Sequence, residues 1–263
     1  MRVTLIGSGN MATYLGKQFM QNGHTIAQVF SRQLLHASQL AQLLQAEPIN
    51  SFGLIHQEAD LYIVAVKDAA IADIANAISL PQKLVLHTSG AVSKNILNTI
   101  SNCYGVYWPL KMIRKNTEIS TDLTAVMDGN NTDALQQIKQ IFTPFSAMLI
   151  TADDAMRAKM HLLASFTANF SNHLYKLAAD FCAAEQIPFN SFYPIIQETA
   201  IAIQTKEPSL LQAGAAFRAD ASTIHQHLEL LQNHPSMQEL YKAISNSILS
   251  TYHHSKTNTE CRL

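Results

Sequence analysis

The sequence predicts an α/β fold, a parallel sheet with helices on both faces, followed by an all-α region. Three observations carry this. Short β-rich apolar runs alternate with helical patterns up to about residue 150, the rhythm of a parallel sheet with crossover helices. The first of these runs, MRVTLI, leads directly into Gly7-Ser8-Gly9-Asn10-Met11-Ala12. After about residue 151 the strand signals stop and helical periodicity continues almost to the C-terminus.

Taken in order, strands are expected at residues 2–7, 25–31, 61–66, 84–88, 103–107, 123–128 and 147–150, with helices at 10–21 and 34–45 between the first of them. Gly23 stands where a helix C-terminal stop belongs. The segment 153–184 has few breakers and reads as one long helix. Pro188, Pro194, Pro208 and Pro235 punctuate the helices that follow, and Ser236-Met237-Gln238-Glu239 has the form of a capping box opening the last one. The expected division is an α/β domain at 1–151, a helical domain at 152–253, and a flexible tail at 254–263.

The opening stretch fits G-x-G-x-x-A. Gly7 permits a tight turn off the strand, Gly9 lets backbone amides approach a pyrophosphate with no Cβ in the way, and Ala12 lets the helix sit close to the sheet. The helix N-terminus adds a field favourable to an anion. Gly7, Ser8, Gly9, Asn10 and Met11 are therefore candidate cofactor-binding residues.

The end of the second strand tests which cofactor. A site for NAD places a carboxylate there for the ribose 2′-hydroxyl, but no Asp or Glu precedes Glu47. The strand ends Val29-Phe30-Ser31-Arg32 instead. A hydroxyl beside a guanidinium suits a 2′-phosphate, so Ser31 and Arg32 point to NADP. Later strand ends supply the rest of a trough: Val66 and Lys67, then His87-Thr88-Ser89-Gly90, then Tyr107-Trp108-Pro109-Leu110-Lys111.

On the long helix, His161, Ser165 and Asn169 are spaced by four, which places them in one row. A row of polar groups in an otherwise apolar helix either faces a substrate or is satisfied within the core. His161 is the candidate proton donor, with Asn169 and Ser89 as further candidate catalytic residues. Arg218 and Asp220 follow a stretch of small residues; they can bind a substrate carboxylate, form an ion pair, or cap the next helix.

Bulk properties exclude other classes. The 263 residues carry a formal net charge of −1, without the basic bias of a nucleic-acid binder. Charged residues make up 14%, below the usual quarter, and such a weakly charged surface favours self-association. Three scattered cysteines with no CxxC pair fit a reducing compartment. Glycines interrupt the first apolar run too early for a signal peptide, and no stretch approaches the length of a membrane span. A cytoplasmic protein is expected. The eleven histidines lack a ligand spacing such as H-E-x-x-H, and no metal site is expected. Nor does a G-x-S-x-G elbow or a P-loop occur.

Gly7-Ser8-Gly9-Asn10-Met11 and Ala65-Val66-Lys67 resemble pyrroline-5-carboxylate reductase and its NADP-oxidoreductase relatives. Over nearly its full length the chain resembles a bacterial family that pairs a Rossmann-like domain with a helical C-terminal domain of unknown function. The residues carrying this likeness are His87-Thr88-Ser89-Gly90, His161 with Asn169, Pro194 with Glu198-Thr199, and Gln212, Gly214, Arg218 and Asp220. The chain departs from that family at Trp108-Pro109-Leu110, where His-Pro-Leu is usual, and at Ala213 and Ala215, where Thr and Pro are. The missing His weakens a catalytic role for the fifth-strand loop. The resemblance implies an NADP-dependent oxidoreductase with a helical domain like that of 6-phosphogluconate dehydrogenase, a domain that dimerises in such relatives. It names no substrate. Together these features predict NADPH-dependent hydride transfer to a small C=O or C=N compound; the alternative is a non-catalytic NADP(H)-binding sensor or scaffold.

Overall fold

The computed structural model describes residues 1–253; the expected tail at 254–263 lies outside the described residues. The described chain divides into two compact units, Met1–Asn169 and the residues from Phe170 on.

In the first unit the strands are β1 Arg2–Ile6, β2 Thr25–Phe30, β3 Glu47–Ile49, β4 Leu61–Val64, β5 Leu84–His87, β6 Cys103–Pro109, β7 Thr124–Gly129 and β8 Met148–Thr151. They form one sheet in the order β3-β2-β1-β4-β5-β6-β7-β8. Neighbours pair in parallel except β6 and β7, which are antiparallel. The sheet is parallel as expected, apart from that one pair. A parallel return needs a crossover, usually helical, and no helix lies between β6 and β7.

The central strands are buried on both faces, which explains their unbroken apolar runs. Alternate side chains serve opposite cores. Leu61 and Ile63 of β4 join Val3, Leu5, Leu84 and Leu86 in one cluster. Tyr62 and Val64 join Ile6 and Val85 in the other. Helices α1 Asn10–Gln21, α2 Leu34–Leu44 and α4 Thr132–Phe142 cover the first cluster; α3 Ile71–Ala77 covers the second. Gly23 takes φ +75° just past α1, as a C-terminal stop requires.

The strand β3 was not foreseen. Three residues carrying a charge and a proline show no alternation, yet Pro48 is tolerated because β3 is the sheet edge.

The long helix is not uniform. It runs as α5 Asp154–Ala164, N-capped by Asp153, then a π-helical stretch Ser165–Phe170, then α6 Ser171–Ala184. No proline or glycine marks the change. α5 belongs with the sheet, because Met160 and Ala164 pack on Val106, Trp108, Val126 and Ala152. The first unit therefore extends past residue 151.

The second unit continues from α6 through α7 Tyr193–Ala202, α8 Pro208–Leu211, α9 Ala221–Leu230 and α10 Pro235–His253. α10 starts at Pro235, which fits proline's preference for the first helical position. Ser236 thus lies inside the first turn, and the capping-box expectation is corrected. Among the described residues, no helix is long and apolar enough to cross a membrane.

Candidate functional site

The site begins where β1 ends. Gly7 adopts φ +130°, and its N–H donates to the Phe30 carbonyl at 2.9 Å. A Cβ at Gly7 would stand 2.2 Å from the Ala65 carbonyl oxygen. Both the dihedral and the contact require glycine here. Gly9 differs: its φ of −83° suits any residue, and a Cβ there would meet nothing within 4 Å. Protein packing does not demand a glycine at this point; the bare backbone leaves open space over the start of α1. The α1 N-cap makes no side-chain hydrogen bond and its first turn carries no acid, so the orphan amides of that turn face outward for an anion.

A cavity of about 550 Å³ opens over this turn. Its walls include Gly7, Ser8, Gly9, Asn10, Met11, Ser31, Arg32, Val66 and Lys67. The nine residues proposed from the sequence as cofactor ligands come from three strand ends and meet at this one cavity. Phe30, Phe52, Ala65, Ala70, Asp73 and Ile74 complete the lining and were not proposed as ligands. Phe52 stacks on Phe30 with centroids 4.5 Å apart, and Ile74 arrives from α3. Their periodicity marks them as core residues, and nothing local signals a cavity wall.

A second cavity, about 320 Å³, lies at the end of β6. One wall is Trp108 to Met112; the other is the α5 face and the π-helical turn, with His161, Ala164, Ser165, Thr167, Ala168 and Asn169. His161, Ser165 and Asn169 all reach it. The His161 ring sits edge-on to Trp108, with centroids 5.4 Å apart. Ser165 Oγ donates back to the His161 carbonyl at 3.3 Å. Trp108 is 7% exposed. Ser89 lines neither cavity: its Oγ accepts from the Ala91 and Val92 N–H groups, both at 3.1 Å. It adjoins the second cavity through Gly90, where a Cβ would lie 2.8 Å from both His161 Cδ2 and Trp108 Cε2. Asn10 Nδ2 donates to the Ile113 carbonyl at 3.4 Å, tying the glycine turn to the segment that walls the second cavity. In the second unit Asp220 is a helix cap, accepting from Thr223 N at 3.0 Å and Thr223 Oγ1 at 2.7 Å.

A Bacteroides fragilis protein, solved as a candidate NADP oxidoreductase, is 34% identical to the chain. The match covers 95% of this chain and 98% of that one, with a TM-score of 0.88. The chain belongs to the NADP oxidoreductase family. Residues 2–90 match the family described as NADP oxidoreductase coenzyme F420-dependent, and residues 123–248 match a domain of unknown function, DUF2520. More distant structures share the fold. An imine reductase from Myxococcus stipitatus in complex with NADP+ is 15% identical over 98% of this chain and 95% of its own, with a TM-score of 0.65. A 1-pyrroline-5-carboxylate reductase from Streptococcus pyogenes is 17% identical over 95% and 98%, with a TM-score of 0.62. No curated protein matches the chain.

In this NADP oxidoreductase family member, buried polar groups fix the loop between the two cavities. His87, at the end of β5, is fully buried, and its Nδ1 accepts from Ser89 N–H at 3.2 Å. The ring proton therefore sits on Nε2. Burial, reinforced by the Arg157 charge, lowers the His87 pKa to about 4. Arg157, also fully buried, donates through Nη2 to the Val92 carbonyl at 2.5 Å and to Asp154 Oδ1 at 2.7 Å. Asp154 accepts a further, short hydrogen bond from the Ser93 hydroxyl and one from Lys94 N at 3.2 Å. Burial opposes ionisation of Asp154, but the hydrogen bonds from Ser93, Arg157 and Lys94 outweigh it and hold the carboxyl at about 2. These bonds staple the first turn of α5 to residues 92–94, one helical turn before His161.

The lowered His87 pKa predicts an acid-sensitive step in stability. As pH falls, the unfolded chain takes up this proton at its ordinary 6.5 while the fold resists until about 4. The contribution is complete above pH 6.5 and is lost between pH 6.5 and 4, about 3 kcal/mol in all. Denaturant unfolding of the wild type should weaken between pH 7.5 and 4.5 more than that of His87→Gln, whose amide oxygen can still accept from Ser89. Equal pH sensitivity of the two proteins would refute this role for His87.

Proposed function

We propose that the chain is an NADPH-dependent reductase of a small compound carrying a C=O or C=N bond. One observation carries the reading: a glycine turn that protein packing leaves open shares its cavity with Ser31, Arg32, Val66 and Lys67. The backbone amides from Gly9 to Met11 hold the pyrophosphate, and Ser31 and Arg32 hold the 2′-phosphate. No carboxylate stands at the end of β2 to favour the 2′-hydroxyl of NAD. Lys67 adds a cation, and Val66 an apolar wall. The bound cofactor supplies the hydride. His161 holds a ring N–H at the second cavity, where it donates a proton to the oxygen or nitrogen being reduced, and Asn169 orients that group. Ser89 supports the loop beside them through its bonds to Ala91 and Val92. Trp108 shields one side of the cavity from water.

We also propose that the second unit mediates a homodimer. Of its described side chains only a few are buried, among them Cys182, Ala216 and Leu231. Large apolar groups such as Tyr193, Ile195, Ile201 and Leu210 are more than half exposed, the pattern of a surface that a partner covers. The free thiols Cys103 and Cys182 suit a reducing cytoplasm.

Calorimetry with NADPH and NADH tests the cofactor site. Gly9→Val should cost about 1 kcal/mol of stability as a poorer cap yet abolish binding of both nucleotides. Arg32→Ala should weaken NADPH about tenfold or more and NADH far less. Undiminished binding by the valine variant, or equal losses for both nucleotides in the alanine variant, contradicts the assignment. With imines, ketones and keto acids offered in turn, His161→Ala should lose NADPH oxidation while keeping NADPH affinity. Tight binding without turnover of any of them by the wild type would instead mark a sensor or scaffold. Light scattering should give twice the chain mass; a monomer at all concentrations removes the dimer.

A further inference from the structure

The His161 ring is held without a hydrogen bond. Among the described residues neither of its nitrogens has a partner, whereas His87 Nδ1 accepts from Ser89 N–H at 3.2 Å and His227 Nδ1 lies 2.8 Å from the Tyr241 hydroxyl. Nor does a carboxylate pair with it, as Glu229 does with His225 at 3.3 Å. An imidazole that transfers a proton is ordinarily oriented by a third group bonded to its other nitrogen. Here packing alone is available. The Trp108 ring stands edge-on to His161, with 74° between the planes. Trp108 has little freedom of its own, being buried among Val106, Val126 and Ala152. Gly90 is the third member. A Cβ there would lie 2.8 Å from His161 Cδ2, 3.0 Å from His161 Cγ and 2.8 Å from Trp108 Cε2. Gly90 is not among the glycines of positive φ, so its backbone does not ask for glycine. The two rings do. Its closest approach to the imidazole is to the carbons Cδ2 and Cγ, and the contact engages neither nitrogen.

We propose that Gly90 and Trp108 are positioning residues, which fix the His161 ring at the second cavity by shape alone. The inference rests on the reductase reading above and adds to it what aims the proton donor. The staple between α5 and residues 92–94 places the His161 backbone. What remains is rotation of the side chain, and Trp108 and the Gly90 backbone restrict that rotation. A hydrogen bond to one nitrogen would fix a single tautomer; a steric clamp leaves both nitrogens for the substrate, and either can carry the proton. The clamp is sensitive to one carbon atom. A methyl on Gly90 needs space that both rings occupy, and Trp108 cannot yield, because it is packed against the sheet. The imidazole then moves, and a misplacement of about 1 Å is enough to cost about a hundredfold in rate.

The test follows NADPH oxidation by the full-length protein with whichever imine, ketone or keto acid it reduces best, and measures NADPH binding by calorimetry alongside. Gly90→Ala should lower kcat about tenfold or more, with KM and NADPH affinity little changed. Trp108→Leu, which removes the aromatic edge, should do the same, while Trp108→Phe, which keeps one, should retain most of kcat. Combining Gly90→Ala with Trp108→Phe makes room for the methyl and should recover part of the loss, a non-additivity expected of side chains in contact. Nuclear magnetic resonance reads the clamp without turnover. The His161 ring protons, assigned by their disappearance in His161→Ala, should be displaced by the Trp108 ring current in the wild type. They should move in Gly90→Ala and lose the displacement in Trp108→Leu. If NADPH fails to bind, or binds and no compound is reduced, the reductase reading falls and this inference with it. If the wild type reduces a compound and kcat survives in both Gly90→Ala and Trp108→Leu, the inference is overturned and the reductase reading stands. Ring protons that stay in place in Gly90→Ala overturn it too, as do equal losses of kcat and NADPH affinity, because the loop would then serve the cofactor. If Gly90→Ala does not fold, the Trp108 variants decide: equal kcat in Trp108→Leu and Trp108→Phe overturns the inference.

Discussion

A Cβ on Gly7 would collide with the Ala65 carbonyl at 2.2 Å, and the Gly7 N–H is bonded to the Phe30 carbonyl. Three strand ends, those of β1, β2 and β4, therefore meet at one glycine, and their spacing depends on the missing side chain. This convergence places Ser31, Arg32, Val66 and Lys67 around one cavity. It also aims the first turn of α1 into that cavity, where the unpaired amides and the helix field converge. No charged side chain on α1 contributes to this, since its first turn holds no acid and its cap is a glycine.

The second cavity depends on a different device. α5 leaves β8 and returns over the sheet, and its first turn is bonded to residues 92–94 through Arg157 and Asp154. This arrangement brings His161 against Gly90 and Trp108. The π-helical turn that follows takes an extra residue per turn, a feature found often at functional sites. It widens the helix where Ser165, Thr167, Ala168 and Asn169 line the cavity. A neutral His87 is part of the same construction, because only an unprotonated Nδ1 can accept from Ser89 N–H.

Much of this was legible in the residues. The strand-turn-helix at the N-terminus follows from apolar alternation and the glycine spacing, and α1 runs from Asn10 to Gln21 as the pattern implied. The candidate ligands at the ends of β2 and β4 follow from a topological rule, that polar groups cluster where parallel strands stop. Other features left no local trace. β3 is three residues long and is held as a strand only by pairing with β2. The antiparallel run of β7 is decided by what fails to form between it and β6. Phe52 and Ile74 look like core residues and become cavity walls only where the folded chain brings their elements beside the glycine turn. Ser89 shows the opposite case: a hydroxyl at a strand end, suggestive in sequence, spends its lone pairs on its own loop.

The amino-acid sequence alone determined the α/β class, the all-α second half, the glycine turn and the absence of a carboxylate at the end of β2. Each is written in short-range pattern, in which neighbours two, three or four residues apart constrain one another. Tertiary structure alone decided that β6 and β7 oppose each other, that α5 belongs to the sheet, and that Trp108 and His161 meet at one cavity. Those outcomes depend on groups distant in sequence whose packing, charge and hydrogen bonds are set only when the chain has folded.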